Sequence, residues 1–196
     1  MGSKTRDRFR TSPEYKQLKE EKDQLKRKLL FLGFFSEKLK EKGVSAIIVG
    51  GEAVDIYTGG TFATTDIDVL VQNKTAAEKL LNKFGFEKAG NTLWLNKELV
   101  IVIHVMESSY TGDSGKLKKM KIGKYEIQIA SPEYLIKDRL CSFKFWKDNP
   151  QSDMEKTVAL LRIFSDSIDN SYLDKLAKEN GIEDVLAKAR KYASTV

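Results

Sequence analysis

The 196 residues include a single cysteine, Cys141, so no internal disulfide can form and no thiolate cluster is available to hold a metal. Long apolar runs are missing too. Hydrophobic residues make up 41% of the chain, yet the uninterrupted stretches are as short as Ala46–Val49, far below the roughly 20 residues a membrane-spanning helix needs. The opening MGSKTRDRFR is basic with no apolar core behind it, unlike a secretory leader. Three prolines and 13 glycines are too few for low-complexity disorder. The expectation from these absences is a chain without a membrane span, in a reducing, cytoplasmic setting. Its size fits one domain, with or without an appended arm.

What the chain does have is charge, on 32% of its residues and with a net value of +6, and the charge is unevenly placed. Residues 1–42 hold 13 Lys/Arg against 7 Asp/Glu, whereas residues 43–196 hold 21 of each, so the whole excess belongs to the N-terminal segment. A uniformly basic surface would point to nucleic acid. A neutral body with a basic arm leaves two readings, a solvated arm or one that touches an anionic partner.

Ser12-Pro13-Glu14 reads as a helix start, with Ser12 the N-cap and Pro13 at the first position, where a missing N–H costs nothing. Leu18, Leu25, Leu32 and Leu39 recur at sevens, with Leu29 and Phe35 filling the same stripe. This predicts one long helix packed on its own domain and broken near Gly33. Lys22 and Lys28 interrupt the seam, which argues against a coiled coil and leaves a dimer or a protein partner through this arm open. From Gly43 the texture changes: VSAIIV is a buried strand, GGEAVDIY opens a helix, Asp66–Gln72 is a second strand and Thr75–Phe84 a helix ended by Gly85. Antiparallel strands are predicted at 86–89, 93–95 and 99–106, followed by a loop over 112–124 that carries five lysines, and a strand at 125–130. Helices are predicted at 132–143, 152–166, 170–179 and 182–193. The order gives an α+β class, an α/β sandwich with a small sheet. It divides into a basic helical arm (1–42), an α/β core (43–130) and a C-terminal helical region packed on that core (131–196).

Asp66 and Asp68 flank Ile67 at the start of the second strand, and strand alternation sends residues i and i+2 to one face. Two neighbouring carboxylates in a pocket raise each other's pKa unless a cation sits between them. Oxygen-only ligands of this kind suit Mg²⁺, which keeps its remaining positions for water and phosphate oxygens. The first strand runs directly into Gly50-Gly51 and a helix, so backbone N–H groups and the positive helix end are offered with no Cβ in the way. Each feature has an ordinary counterpart, a solvated acid pair or a tight turn. Their combination, 14 residues apart (52–65), places a phosphate seat beside a metal dyad.

The segment IIVGGEAVDIYTGGTFATTDIDVLV (47–71) resembles the nucleotidyltransferase superfamily related to DNA polymerase β, whose hallmark is a Gly-Gly or Gly-Ser turn followed about a dozen residues on by Asp-x-Asp. Thr64-Thr65 before the dyad is similar to the small prokaryotic branch that includes abortive-infection and toxin-type enzymes. SPEYLIKDRL (131–140) is similar to that branch's Pro-Glu-hydrophobic-Lys/Arg-Leu helix, with Arg139 at the basic position, and SDMEKTVALL (152–161) keeps Asp153 of a later element. The resemblance covers residues 44–165 and leaves 1–42 outside. It implies the mixed sheet of that fold and a C-terminal helical bundle.

Departures from the pattern are informative. The family's third acid lies in a hydrophobic-Asp-hydrophobic triplet, and the matching segment here is Ile103-His104-Val105, which holds the only histidine. His104 is then a general base for an acceptor hydroxyl, or a structural histidine in a protein that has lost its acid. As a magnesium ligand it is poor, because neutral imidazole prefers softer metals such as Mn²⁺ or Zn²⁺. Glu107 is a candidate to reach the metal if the strand bulges. Ser152 and Lys156 replace a basic and an acidic residue of the later element. Glu52 reads as a favourable charge in a helix's first turn or as an acid supporting the metal's ligands, and Trp94 and Tyr57 as stacking surfaces for a base, with packing favoured for Trp94, which alternates between leucines. The lysine-rich segment is solvated or contacts phosphate.

The resemblance implies transfer of NMP from an NTP to an acceptor hydroxyl of a small molecule, protein or tRNA. Asp66 and Asp68 would hold Mg²⁺, with Mn²⁺ an alternative, and His104 would complete the catalytic set. Gly50, Gly51, Thr64, Thr65 and Arg139 would bind the nucleotide. The alternative is a catalytically impaired nucleotide-binding protein or a toxin–antitoxin-type regulator.

Overall fold

The computed structural model describes residues 9–195; the first eight residues of the basic opening lie outside the described residues. Helix α1 (Pro13–Glu20) starts as its sequence predicts, the Ser12 hydroxyl accepting the Tyr15 amide at 3.2 Å. The long helix expected after it is two helices. The chain leaves helical geometry at residues 21–23, and Asp23 restarts it as the N-cap of α2 (Gln24–Lys40), its carboxylate accepting the Lys26 amide at 2.8 Å. The expected break at Gly33 is absent. Gly33 is instead a close-packing position, since a Cβ there would lie 2.8 Å from Cβ of Tyr125 on the sheet.

Seven strands form one mixed sheet: β1 (Ala46–Val49), β2 (Asp66–Val71), β3 (Glu87–Lys88), β4 (Leu93–Asn96), β5 (Ile101–Glu107), β6 (Lys118–Ile122) and β7 (Tyr125–Ile129), in the order β3-β4-β5-β2-β1-β7-β6. Strand β1 runs parallel to β7 and β2 parallel to β5; the other neighbours are antiparallel. Helix α3 (Gly50–Tyr57) links β1 to β2, and α4 (Lys74–Lys83) follows β2. One face of the sheet is fully buried: Ile48, Ile67, Val69, Ile103, Val105, Ile127 and Ile129 have 0–1% exposure. Burying each such side chain contributes about 1.5–3 kcal/mol. Phe31, Leu32, Phe35 and Leu39 of α2 belong to the same core, so the basic helical segment is a structural layer of the fold. The opposite face, with Asp66, Asp68, Val102, His104 and Met106, is half-exposed.

The lysine-rich segment expected as a loop is largely an edge strand. Met120 and Ile122 alternate with Lys119 and Lys121 in β6, which hairpins through Gly123 onto β7. Lysines on a sheet edge oppose pairing with a further strand, which is how this segment can be both β and heavily charged. The C-terminal helices are α5 (Pro132–Cys141), α6 (Pro150–Ile163), α7 (Asn170–Asn180) and α8 (Glu183–Ser194). A π-helical segment, Ser142–Trp146, joins α5 to the turn before α6 and ends at Lys147 in the left-handed region. Helix α5 packs on α6 and α7, and α6 on α8, completing an α+β architecture. No helix among the described residues is long and apolar enough to cross a membrane.

Candidate functional site

The first two residues of β2 that share a face are Asp66 and Asp68, and the antiparallel register sets Val49 of β1 beside Asp68. One residue on, Gly50 has φ +63° and opens α3. A Cβ at this position would overlap Oδ2 of Asp68, so glycine is required by both backbone conformation and space. Val49 supplies no side-chain cap to α3, and the Gly51 amide donates toward the Asp68 carboxylate. The start of α3, without a side-chain cap from Val49, thus sets its positive end beside two acids.

Around the dyad, the hydroxyls of Thr64 and Thr65 lie 3.3 and 3.4 Å from Oδ1 of Asp66. The parallel β2–β5 register places His104 directly opposite Asp68. Its Nδ1 is 3.3 Å from Asp68 Oδ1, and its Nε2 is 2.5 Å from the Thr92 hydroxyl. Asp68 and His104 remain 24% and 33% exposed, open enough for a ligand to reach. Burial pushes the Asp68 carboxyl above its ordinary value and the Asp66 charge adds to this, while His104 and the Gly51 amide work against it. Seven of the eight residues singled out from sequence therefore converge here: Gly50, Gly51, Thr64, Thr65, Asp66, Asp68 and His104.

Arg139 of α5 is committed elsewhere. It donates to Asp138 Oδ2 at 2.7 Å and to Asp153 Oδ1 at 3.2 Å, and Asp153 also accepts the Ser142 hydroxyl at 2.6 Å. This network fastens the α5–α6 elbow; Asp68 acts on Arg139 only as a more distant charge. Glu107 stands opposite Val71 and accepts the Lys74 amide at 3.2 Å, so it serves the start of α4 at the far end of the strand. The Tyr57 hydroxyl donates to the Ala130 carbonyl at 2.8 Å and its ring meets Phe164 edge-on, which is packing. Trp94 is buried. Lys116 and Lys124 are paired with Asp169 and Glu14.

Sequence reasoning missed one part of the site. Lys28 of α2, taken as an interruption of an apolar seam, is 3% exposed and donates to Glu52 Oε2 at 2.7 Å and to the Thr64 carbonyl at 2.6 Å. It ties the residue after the Gly-Gly turn to the residue two before the dyad. Burial raises the Glu52 carboxyl to about 7 against the pull of Lys28, with Asp55 and Asp66 adding to the rise. The buried Oε1 of Glu52 and Oδ1 of Asp55 have no partner. The available signal was the lysine itself: a cation at a stripe position must find an acid.

Among the described residues, no group of three or more His, Cys, Asp or Glu side chains is arranged to hold a metal ion. No protein-family model matches the chain, and no curated protein matches its sequence. Solved structures do match its fold. An antigenic nucleotidyltransferase-like protein from Paracoccidioides brasiliensis superposes with TM-score 0.59 and 17% identity, over 87% of this chain and 93% of that one. The antibiotic-resistance factor ANT(2'')-Ia matches in its solution structure (TM-score 0.54, 14% identity, 81% and 93% covered). It matches again in the crystal structure with adenylyl-2''-tobramycin (TM-score 0.56, 15% identity, 79% and 95% covered). The chain thus has the fold of nucleotidyltransferase-like proteins.

Proposed function

We propose that the protein is a metal-dependent nucleotidyltransferase that moves NMP from an NTP to an acceptor hydroxyl. One observation carries the reading: Asp66 and Asp68 share a face directly beside the uncapped start of α3, at a glycine whose missing Cβ lets backbone meet carboxylate. The donor set fits Mg²⁺: both ligands are carboxylates, burial and the Asp66 charge make an uncompensated Asp68 carboxylate unfavourable, and a hard cation held by two carboxylates keeps its other positions for waters and phosphate oxygens. Bound by Asp66 and Asp68, Mg²⁺ would neutralise charge on the phosphate oxygens.

The residues of the chain account for the remaining work by positioning. The Gly51 amide and the Thr64 and Thr65 hydroxyls, which lie against the Asp68 and Asp66 carboxylates, would together with the Gly50 amide donate to the β- and γ-phosphate oxygens, and fixed donors aimed at developing charge are an effective form of catalysis. Both ring nitrogens of His104 are engaged, Nδ1 with Asp68 and Nε2 with Thr92. We therefore assign His104 to orienting Asp68, with Thr92 fixing the tautomer, in preference to taking the acceptor's proton. The same contact supports a second reading, nucleotide binding without transfer, because an imidazole stands against Asp68 where a further acid would strengthen a metal site.

The test is incubation of the full chain with each α-labelled NTP, Mg²⁺ or Mn²⁺, and pooled small-molecule, protein and tRNA acceptors. Label should be transferred by the wild type and reduced at least about 10³-fold in Asp66→Ala and Asp68→Ala. Nucleotide binding without transfer under every condition would establish the second reading in place of the first.

A further inference from the structure

On the half-exposed sheet face, the residues that follow Val49 and Asp68 away from the dyad are Ile47 and Leu70, which pair with each other. They form the floor of a cavity of about 290 Å³. Two strand residues span roughly 7 Å, so the floor begins about one sugar-ring length from the dyad. Gln128, opposite Ile47 in the register of β7, adds its amide from the same face. The segment after β5 closes the cavity with the hydroxyls of Ser108, Ser109 and Ser114.

That segment is held in place by the helical bundle. The Tyr110 hydroxyl accepts the Ser131 amide at 3.4 Å, the Asp113 amide donates to the Tyr172 hydroxyl at 2.8 Å, and Lys116 pairs with Asp169 at 2.7 Å. The cavity is therefore preformed. In a chain with 32% charged residues, none of the 11 residues lining it is charged. Phosphate would find no cation there, and an amine would find no carboxylate. The one aromatic ring, Tyr110, already packs on Tyr134 at 4.6 Å and has its hydroxyl engaged, which leaves a nucleobase little to stack on. The Ser108 hydroxyl donates to the Ser109 carbonyl at 3.2 Å and keeps its acceptor capacity; apolar residues beneath the Ser109 and Ser114 hydroxyls and the Gln72 and Gln128 amides suit a ring with one C–H face and several hydroxyl groups.

We propose that this cavity is the acceptor subsite and that the acceptor presents an uncharged, polyhydroxylated ring. The proposal rests on the transferase reading for its role, while the binding it predicts is independent of that reading. A hydroxyl of a ring seated on Ile47 and Leu70 would point along the sheet toward Asp68, where the nucleotide's α-phosphorus would lie.

Saturation-transfer NMR on the full chain without nucleotide tests the binding, with methyl glucoside and myo-inositol as neutral probes, glucosamine as the cationic counterpart and adenosine as the base-bearing one. The neutral probes should receive saturation and glucosamine should not. Ser109→Trp, which fills the mouth, and Gln128→Lys should each weaken the neutral probes at least about tenfold with an unchanged melting temperature. The Asp66→Ala variant should bind them as the wild type does. Failure of either neutral probe to bind, or binding indifferent to both cavity variants, would overturn the proposal. So would loss of adenosine binding alone in Ser109→Trp, which would make the cavity a base pocket. If the transferase reading fails, polyol binding survives; if the cavity assignment fails, label transfer in Ser109→Trp remains at the wild-type level.

Discussion

At the scale of single residues, the site depends most on what Gly50 lacks. Replacing it with alanine adds a Cβ that overlaps Asp68 Oδ2 and forces an L-residue to φ +63°. The backbone conformation alone costs about 1–2 kcal/mol, and relief of the overlap must move Asp68. We expect Gly50→Ala to fold with a lowered melting temperature and to lose Mn²⁺ binding as read by electron paramagnetic resonance; wild-type Mn²⁺ affinity in this variant would mean that Asp68 is not a ligand. For His104, the orienting role predicts that His104→Ala loses about 10–100-fold in metal affinity or transfer, the range for partners that aim a ligand. His104→Asp should recover metal affinity, because a carboxylate then faces Asp68 and Asp66; recovery is read by titration calorimetry with Mn²⁺. The dyad and the glycines were legible in the sequence because strand parity and helix starts are local. Arg139 was not, since its occupancy by Asp138 and Asp153 is a matter of which helices meet.

At the scale of elements, the seven-residue leucine spacing announced helix but could not say where it breaks. The capping aspartate Asp23 decides that, restarting α2 so that Lys28 points at the start of α3. Likewise, five lysines in 13 residues (112–124) looked like a solvated loop, whereas the alternation of Met120 and Ile122 places most of them on an edge strand. The Lys28–Glu52 pair joins α2 to α3 and gives a sharp prediction. Lys28→Met leaves Glu52 buried without its cation and should cost about 3–5 kcal/mol at pH 8, the usual penalty for breaking a buried pair on one side. At pH 5 Glu52 takes up a proton and the penalty should shrink. The double variant Lys28→Met/Glu52→Leu removes both charges and should regain most of the loss. Urea unfolding at the two pH values measures all three quantities, and an equal cost for Lys28→Met at pH 5 and 8 would contradict a charged Glu52.

At the scale of the whole molecule, sequence reading separated a basic arm from a neutral body, and the charge arithmetic behind it stands. Packing joins what charge divides: Phe31, Leu32, Phe35 and Leu39 are 0% exposed within the same core as the sheet. Such tertiary burial was readable only as an amphipathic stripe, which does not name the surface that covers it. The fold's pH response follows from this burial. Glu52 has an ordinary value of 4.5 and is raised to about 7 in the folded chain, chiefly by desolvation. Below 4.5 both folded and unfolded chains hold the proton, and the corresponding stability is fully present. As pH rises, the unfolded chain releases its proton first and the folded chain resists until about 7, so stability falls across that window and levels off above it. Asp55, raised mainly by burial, acts in the same direction. The expected result is a wild-type unfolding free energy that declines from pH 4.5 to 7 in urea titrations, with a distinctly shallower decline in Glu52→Gln, whose side chain cannot ionise. A Glu52→Gln profile parallel to the wild type would show that Glu52 is already ionised at pH 5, held so by Lys28, and that the proton is taken up elsewhere in the core.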